Sequence, residues 1–102
     1  MQVHIETDDE RLRERTTRMV DYVLNRYREQ VTTMRLDIAP ARDRLGTSLS
    51  RCRASTVMKR HGLIEIDEIQ SNSELAVTRA LERTIRTIQR RLDPEIRQRN
   101  ST

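Results

Sequence analysis

The chain has no phenylalanine and no tryptophan, and only two tyrosines, two histidines, two glycines, two prolines and one cysteine among 102 residues. Without large aromatic rings its core has to be assembled from Val, Ile, Leu, Met and Ala, so a thin core of modest stability is expected. Modules that read single-stranded RNA stack bases on aromatics, which here are confined to Tyr22 and Tyr27. Single-strand base readout is therefore not expected, while recognition of shape and phosphates stays open. The lone Cys52 has no partner for an internal disulfide, which fits a reducing compartment and a small buried apolar role. No apolar run approaches the roughly 20 residues that cross a bilayer, and no basic segment followed by an apolar stretch marks a signal peptide. A cytoplasmic protein with no membrane partner is expected.

Catalytic chemistry is equally sparse. His4 falls in a strand and His61 in a turn, with no Cys/His/Asp cluster at metal-ligand spacing around either. There is no glycine-rich phosphate loop and no nucleophile elbow. Asp8, Asp9 and Glu10 stand together, but acids at a helix start are explained by capping and the helix dipole. No enzyme activity, no metal and no cofactor are expected.

What the chain does have is arginine. Lys and Arg total 20 against 16 Asp and Glu, for a net charge of +4, and Lys59 is the sole lysine. The balance favours a polyanionic partner. Arginine suits bidentate phosphate recognition; a GC-rich genome produces the same bias with no functional meaning.

Hydrophobic spacing predicts an α+β fold of order β-α-β-β-β-α. Val3 and Ile5 mark a first strand over residues 1–6, and Thr7 and Asp8 supply helix-starting chemistry. From Asp9 to about Arg28, Leu12, Met19, Val20, Val23, Leu24 and Tyr27 recur at helical steps. Val31 to Ala39 alternates, with Met34, Leu36 and Ile38 on one side; Pro40 then ends the strand in a basic loop carrying Arg42 and Arg44. Leu49 to Lys59 alternates again, placing Cys52, Ala54, Thr56 and Met58 on one face. Arg60, His61 and Gly62 make a hairpin turn into a strand over residues 63–69, with Ile64 and Ile66 inward. Ser71 and Glu74 have capping-box spacing, and a helix follows to Leu92 with Val77, Leu81, Ile85, Ile88 and Leu92 as its apolar stripe. The expected architecture is a four-stranded mixed sheet with two helices packed on one face and the other face open. One domain spans residues 1–93, and residues 94–102 form a polar, mobile tail.

Arg79, Arg83, Arg86 and Arg90 fall at steps of one helical turn, opposite the apolar stripe, and no acid within the row has the spacing to neutralise Arg83 or Arg90. Such a row engages successive phosphates and releases counterions; any surface helix of an arginine-rich protein also looks like this. On the first helix Arg11, Arg15, Arg18 and Arg26 lie along one flank with Tyr22, next to Glu10, Glu14 and Asp21. Salt bridges to these acids make a solvated face the better reading of Arg11 and Arg15. Arg42 and Arg44 extend a basic surface or merely solvate a loop.

Laid out in this order, the sequence resembles the short ribosome hibernation-promoting factors, the ribosome-associated inhibitor or sigma-54 modulation family. The resemblance rests on Met1-Gln2-Val3 with Thr7-Asp8, Leu24-Asn25-Arg26-Tyr27 with Val31-Thr32, Arg51-Cys52-Arg53-Ala54, Gly62, and Ala76-Val77 leading to Arg83, Arg86 and Arg90. It departs from the family at Pro40-Ala41-Arg42-Asp43-Arg44, where many relatives are acidic, and in its near-lack of lysine. The resemblance implies the same fold, and binding to small-subunit ribosomal RNA in the decoding region, blocking tRNA and mRNA during dormancy or stress. By that resemblance Arg83, Arg86 and Arg90 contact RNA, with Arg26 behind them, and the extra C-terminal domain with which long members pair ribosomes is not expected.

Two alternatives stand beside an RNA-binding translation inhibitor. One is a protein-interaction module of the same fold that uses the open sheet face or edge to form a homodimer. The other is a general double-stranded RNA binder, which would carry a basic cluster where this chain has Ser73 and Glu74.

Overall fold

The computed structural model describes residues 1–93. The tail expected over residues 94–102 lies outside the described residues. The elements are β1 (Gln2–Glu6), α1 (Glu10–Leu24), a short 3-10 turn (Asn25–Tyr27), β2 (Val31–Arg42), β3 (Ser48–Met58), β4 (Gly62–Gln70) and α2 (Ser73–Leu92). The sheet order is β1-β2-β3-β4, with β1 parallel to β2 and the other neighbours antiparallel. This is the expected α+β fold, a four-stranded mixed sheet with two helices.

Alternation along the strands decides which face is covered. Met34, Leu36 and Ile38 of β2, Cys52, Ala54, Thr56 and Met58 of β3, and Ile64 of β4 are all buried. They meet Leu12, Thr16, Val20 and Leu24 of α1 and Ala76, Val77, Ala80, Leu81, Thr84 and Ile88 of α2. Ile66, expected inside, packs against this core but is only half-buried. Burial pushes the Cys52 thiol up to about 12, helped by the charges of Asp37, Asp67 and Glu68, so it stays a protonated apolar group.

Several boundaries differ from the sequence expectation. β2 runs through Pro40 to Arg42, pairing Pro40 with Ser50 and Arg42 with Ser48. β1 stops opposite Asp37, so beyond that point β2 has a neighbour on one side only, and a proline is tolerated there. The loop expected over residues 41–47 shrinks to a tight turn in which the Asp43 carboxylate accepts the backbone N–H groups of Leu45 and Thr47, each at 2.9 Å, and Gly46 takes φ 82°. Those N–H donors, Thr47's first, hold the Asp43 carboxyl below the usual carboxylate range.

Both helix starts shift by a residue. Asp9 caps α1, accepting from the Leu12 N–H at 3.2 Å, and Asn72, not Ser71, caps α2, accepting from Leu75 at 2.8 Å. Asparagine caps at least as well as serine. With Asn72 as cap, Glu74 is too early to close a capping box and instead pairs with Arg15 of α1. The α-helix also ends at Leu24 rather than near Arg28, the 3-10 turn completing it.

Candidate nucleic-acid interface

Burying Val77, Leu81, Thr84 and Ile88 turns Arg79, Arg83, Arg86 and Arg90 outward, and all four are exposed. They do not form one uniform row. Arg79 lies 3.6 Å from Glu82 one turn on, an exposed pair that holds the side chain only weakly. Arg83 Nη1 donates to Glu68 Oε2 at 2.7 Å and to the Asp67 carbonyl at 3.1 Å. The expectation that Arg83 lacks a neutralising acid is thereby corrected, because the acid comes from β4 and not from the helix's own spacing. The hydrogen bond from Arg83 holds the Glu68 carboxyl below its ordinary value. Arg86 and Arg90 make no ion pair among the described residues.

Arg86 faces α1 across a groove of about 680 Å³. Met19, Val23, Leu81 and Ile85 contribute its apolar lining, and Tyr22, Arg26 and Arg86 its polar rim. Gln89 Nε2 donates to the Tyr27 hydroxyl at 3.0 Å, tying the C-terminal part of α2 to the end of α1. The Arg26 guanidinium carbon lies 5.7 Å from the Tyr27 ring centroid, a cation–π distance. Arg18 is exposed one turn before Tyr22 on the same flank. Arg15 is spent on Glu74, in line with a solvated face.

Arg90 belongs to a second concavity, lined also by Arg60, His61, Thr87 and Arg91. Arg91 Nη1 donates to the carbonyls of His61 at 2.6 Å and Leu63 at 3.0 Å, which docks the β3–β4 hairpin against the end of α2. The Lys59 N–H donates to the Gln30 carbonyl at 2.8 Å, bringing the segment after α1 to the same end of the molecule. By sequence alone Arg60 and His61 are residues of a turn. The consecutive basic run Lys59-Arg60-His61 was the available signal, and only the docking of α2 makes it part of a surface.

Arg42 and Arg44 are exposed at the β2–β3 turn. That turn and the β3–β4 hairpin lie at opposite ends of the 11-residue strand β3, roughly 30 Å apart at about 3.3 Å per residue. The structure thus brings Arg26, Arg86 and Arg90 to one end of the helical layer and leaves Arg42 and Arg44 at the other end of the sheet.

The chain is similar in fold to the Thermus thermophilus Protein Y N-terminal domain. The crystal structure of that domain matches with a TM-score of 0.60 at 12% identity, covering 87% of this chain and 93% of that one. That share is too large for either helix to lie wholly outside the match. At this identity the likeness to the Protein Y domain carries the fold and not the residues of a site. No protein-family model matches the chain, and no curated protein does.

Proposed function

We propose that this chain is a ribosome-associated RNA-binding protein that acts in the cytoplasm, without catalysis, by occupying the small-subunit decoding region during dormancy or stress. The observation that carries the reading is the convergence of Arg26, Arg86 and Arg90 on one end of the helical layer, where none of the three has an acidic partner among the described residues. Exposed guanidinium groups without internal counter-ions take phosphates and release the counterions of the RNA. The hibernation-factor resemblance of the sequence supports this partner, and the fold shared with the Protein Y domain is the fold that the resemblance implies.

Co-sedimentation with small ribosomal subunits over a salt series tests it. Wild-type protein is expected to pellet with subunits at low salt and to be released steeply as salt rises, and Arg86→Glu with Arg90→Glu to abolish pelleting. A doubly reversed variant that pellets as wild type does would sink the proposal. A second reading, a dimerisation module of the same fold, has one observation in its favour. Val57 and Leu63, paired across β3 and β4, stand on the open sheet face at 40% and 49% exposure. The same salt series separates the two, because apolar self-association does not weaken as salt rises.

A further inference from the structure

Tyr22 is 86% exposed, the most exposed of the two aromatic side chains, and its hydroxyl makes no hydrogen bond among the described residues. Core packing does not account for a ring left in water. It stands at the rim of the groove between α1 and α2, above a lining of Met19, Val23, Leu81 and Ile85, with Arg26 and Arg86 beside it. An aromatic face, an apolar floor and two cations without acidic partners are the parts that a base and its phosphate require. The groove volume of about 680 Å³ lies inside the span of small-ligand sites, roughly 300–1,000 Å³.

We propose that this groove seats one unstacked nucleotide of an RNA, with its base against Tyr22 and the apolar floor and its phosphate on Arg26 and Arg86. The proposal rests on the reading of the chain as an RNA binder and names what that site takes. Charge decides the occupant. An apolar peptide helix laid in the groove would strip water from Arg26 and Arg86 with nothing to compensate them, and Glu82, the acid in the groove wall, is already beside Arg79. The scarcity of aromatics argues against readout of a single-stranded run, but one exposed ring is enough for one base. A base inside a duplex has no free face for Tyr22, so the ligand is a single nucleotide from a loop, bulge or single-stranded end.

The chain has no tryptophan, so tyrosine fluorescence reports on the site directly. The test titrates wild type, Tyr22→Ala and Tyr22→Phe with a short oligoadenylate, the same backbone carrying abasic sites, free AMP and oligoglutamate, with anisotropy of labelled RNA as a second readout. Oligoadenylate is expected to quench the wild-type tyrosine signal and to bind about tenfold tighter than the abasic strand. Tyr22→Ala should bind both strands at the abasic level, and Tyr22→Phe should restore the difference. Equal binding of base-bearing and abasic strands overturns the proposal. Quenching by AMP as strong as by oligoadenylate overturns the RNA source, and preferential capture of oligoglutamate overturns the nucleotide. Ribosome association fails separately: wild type quenched by oligoadenylate yet absent from small-subunit pellets refutes the ribosome reading and keeps the groove. Wild type that pellets but is not quenched does the reverse.

Discussion

Thr56 sits fully buried on the core face of β3, and its hydroxyl has no hydrogen-bond partner among the described residues. Thr84, equally buried, avoids this by donating to the Ala80 carbonyl at 2.8 Å. Replacing Thr56 by valine keeps the shape and removes the stranded polar atom, so Thr56→Val is expected to stabilise the protein by about 1 kcal/mol, read as a higher urea midpoint at unchanged slope. An unchanged or lower midpoint would mean that the hydroxyl is satisfied. Arginine shows the same dependence on surroundings at this scale. Arg13 donates to the Ile5 and Thr7 carbonyls and holds α1 to the end of β1, Arg51 donates to Asp67, and Arg26 and Arg86 face solvent. The number of arginines therefore overstates the surface offered to an anion.

At the scale of elements, β4 is a sheet edge whose backbone could template a further strand. Two of its carbonyls are instead taken by α2: Leu63 by Arg91 and Asp67 by Arg83. Glu68 anchors the Arg83 guanidinium, and the Asp67 carboxylate accepts from Arg51 across the open face. Both carboxyls are held below their usual range, Asp67 chiefly by the hydrogen bond from Arg51 and Glu68 chiefly by that from Arg83. A depressed folded-state pKa contributes stability that is present above the unfolded value, near 4 for these acids, and lost as pH falls through the lowered folded value. Melting temperature is accordingly expected to be level from neutral pH down to about 5 and to fall below about 4. Glu68→Gln should make that acid fall shallower in melts recorded across the pH series; an identical fall would remove Glu68 from the linkage.

For the whole molecule, the distribution of charge matters more than its sum of +4. At about 0.15 M salt the Debye length is about 8 Å, far shorter than β3, so arginines at its two ends act independently. Arg42→Glu with Arg44→Glu is expected to weaken small-subunit association much less than Arg86→Glu with Arg90→Glu does, by co-sedimentation at that salt. Equal losses would mean that net charge, and not a site, drives binding. The order β-α-β-β-β-α and the inward faces of β2, β3 and α2 were legible in the sequence, because period-two and helical spacing are local properties of the chain. So was the outward turn of Arg79, Arg83, Arg86 and Arg90, which follows from burial of Val77, Leu81, Thr84 and Ile88. Which of those arginines are free was decided only by tertiary packing. Glu68 reaches Arg83 from fifteen residues away, and Arg60 and His61 join Arg90 from the turn of the β3–β4 hairpin. Partners set by how α2 lies across β4 leave no trace in spacing along one helix, since ion pairing depends on distance in space.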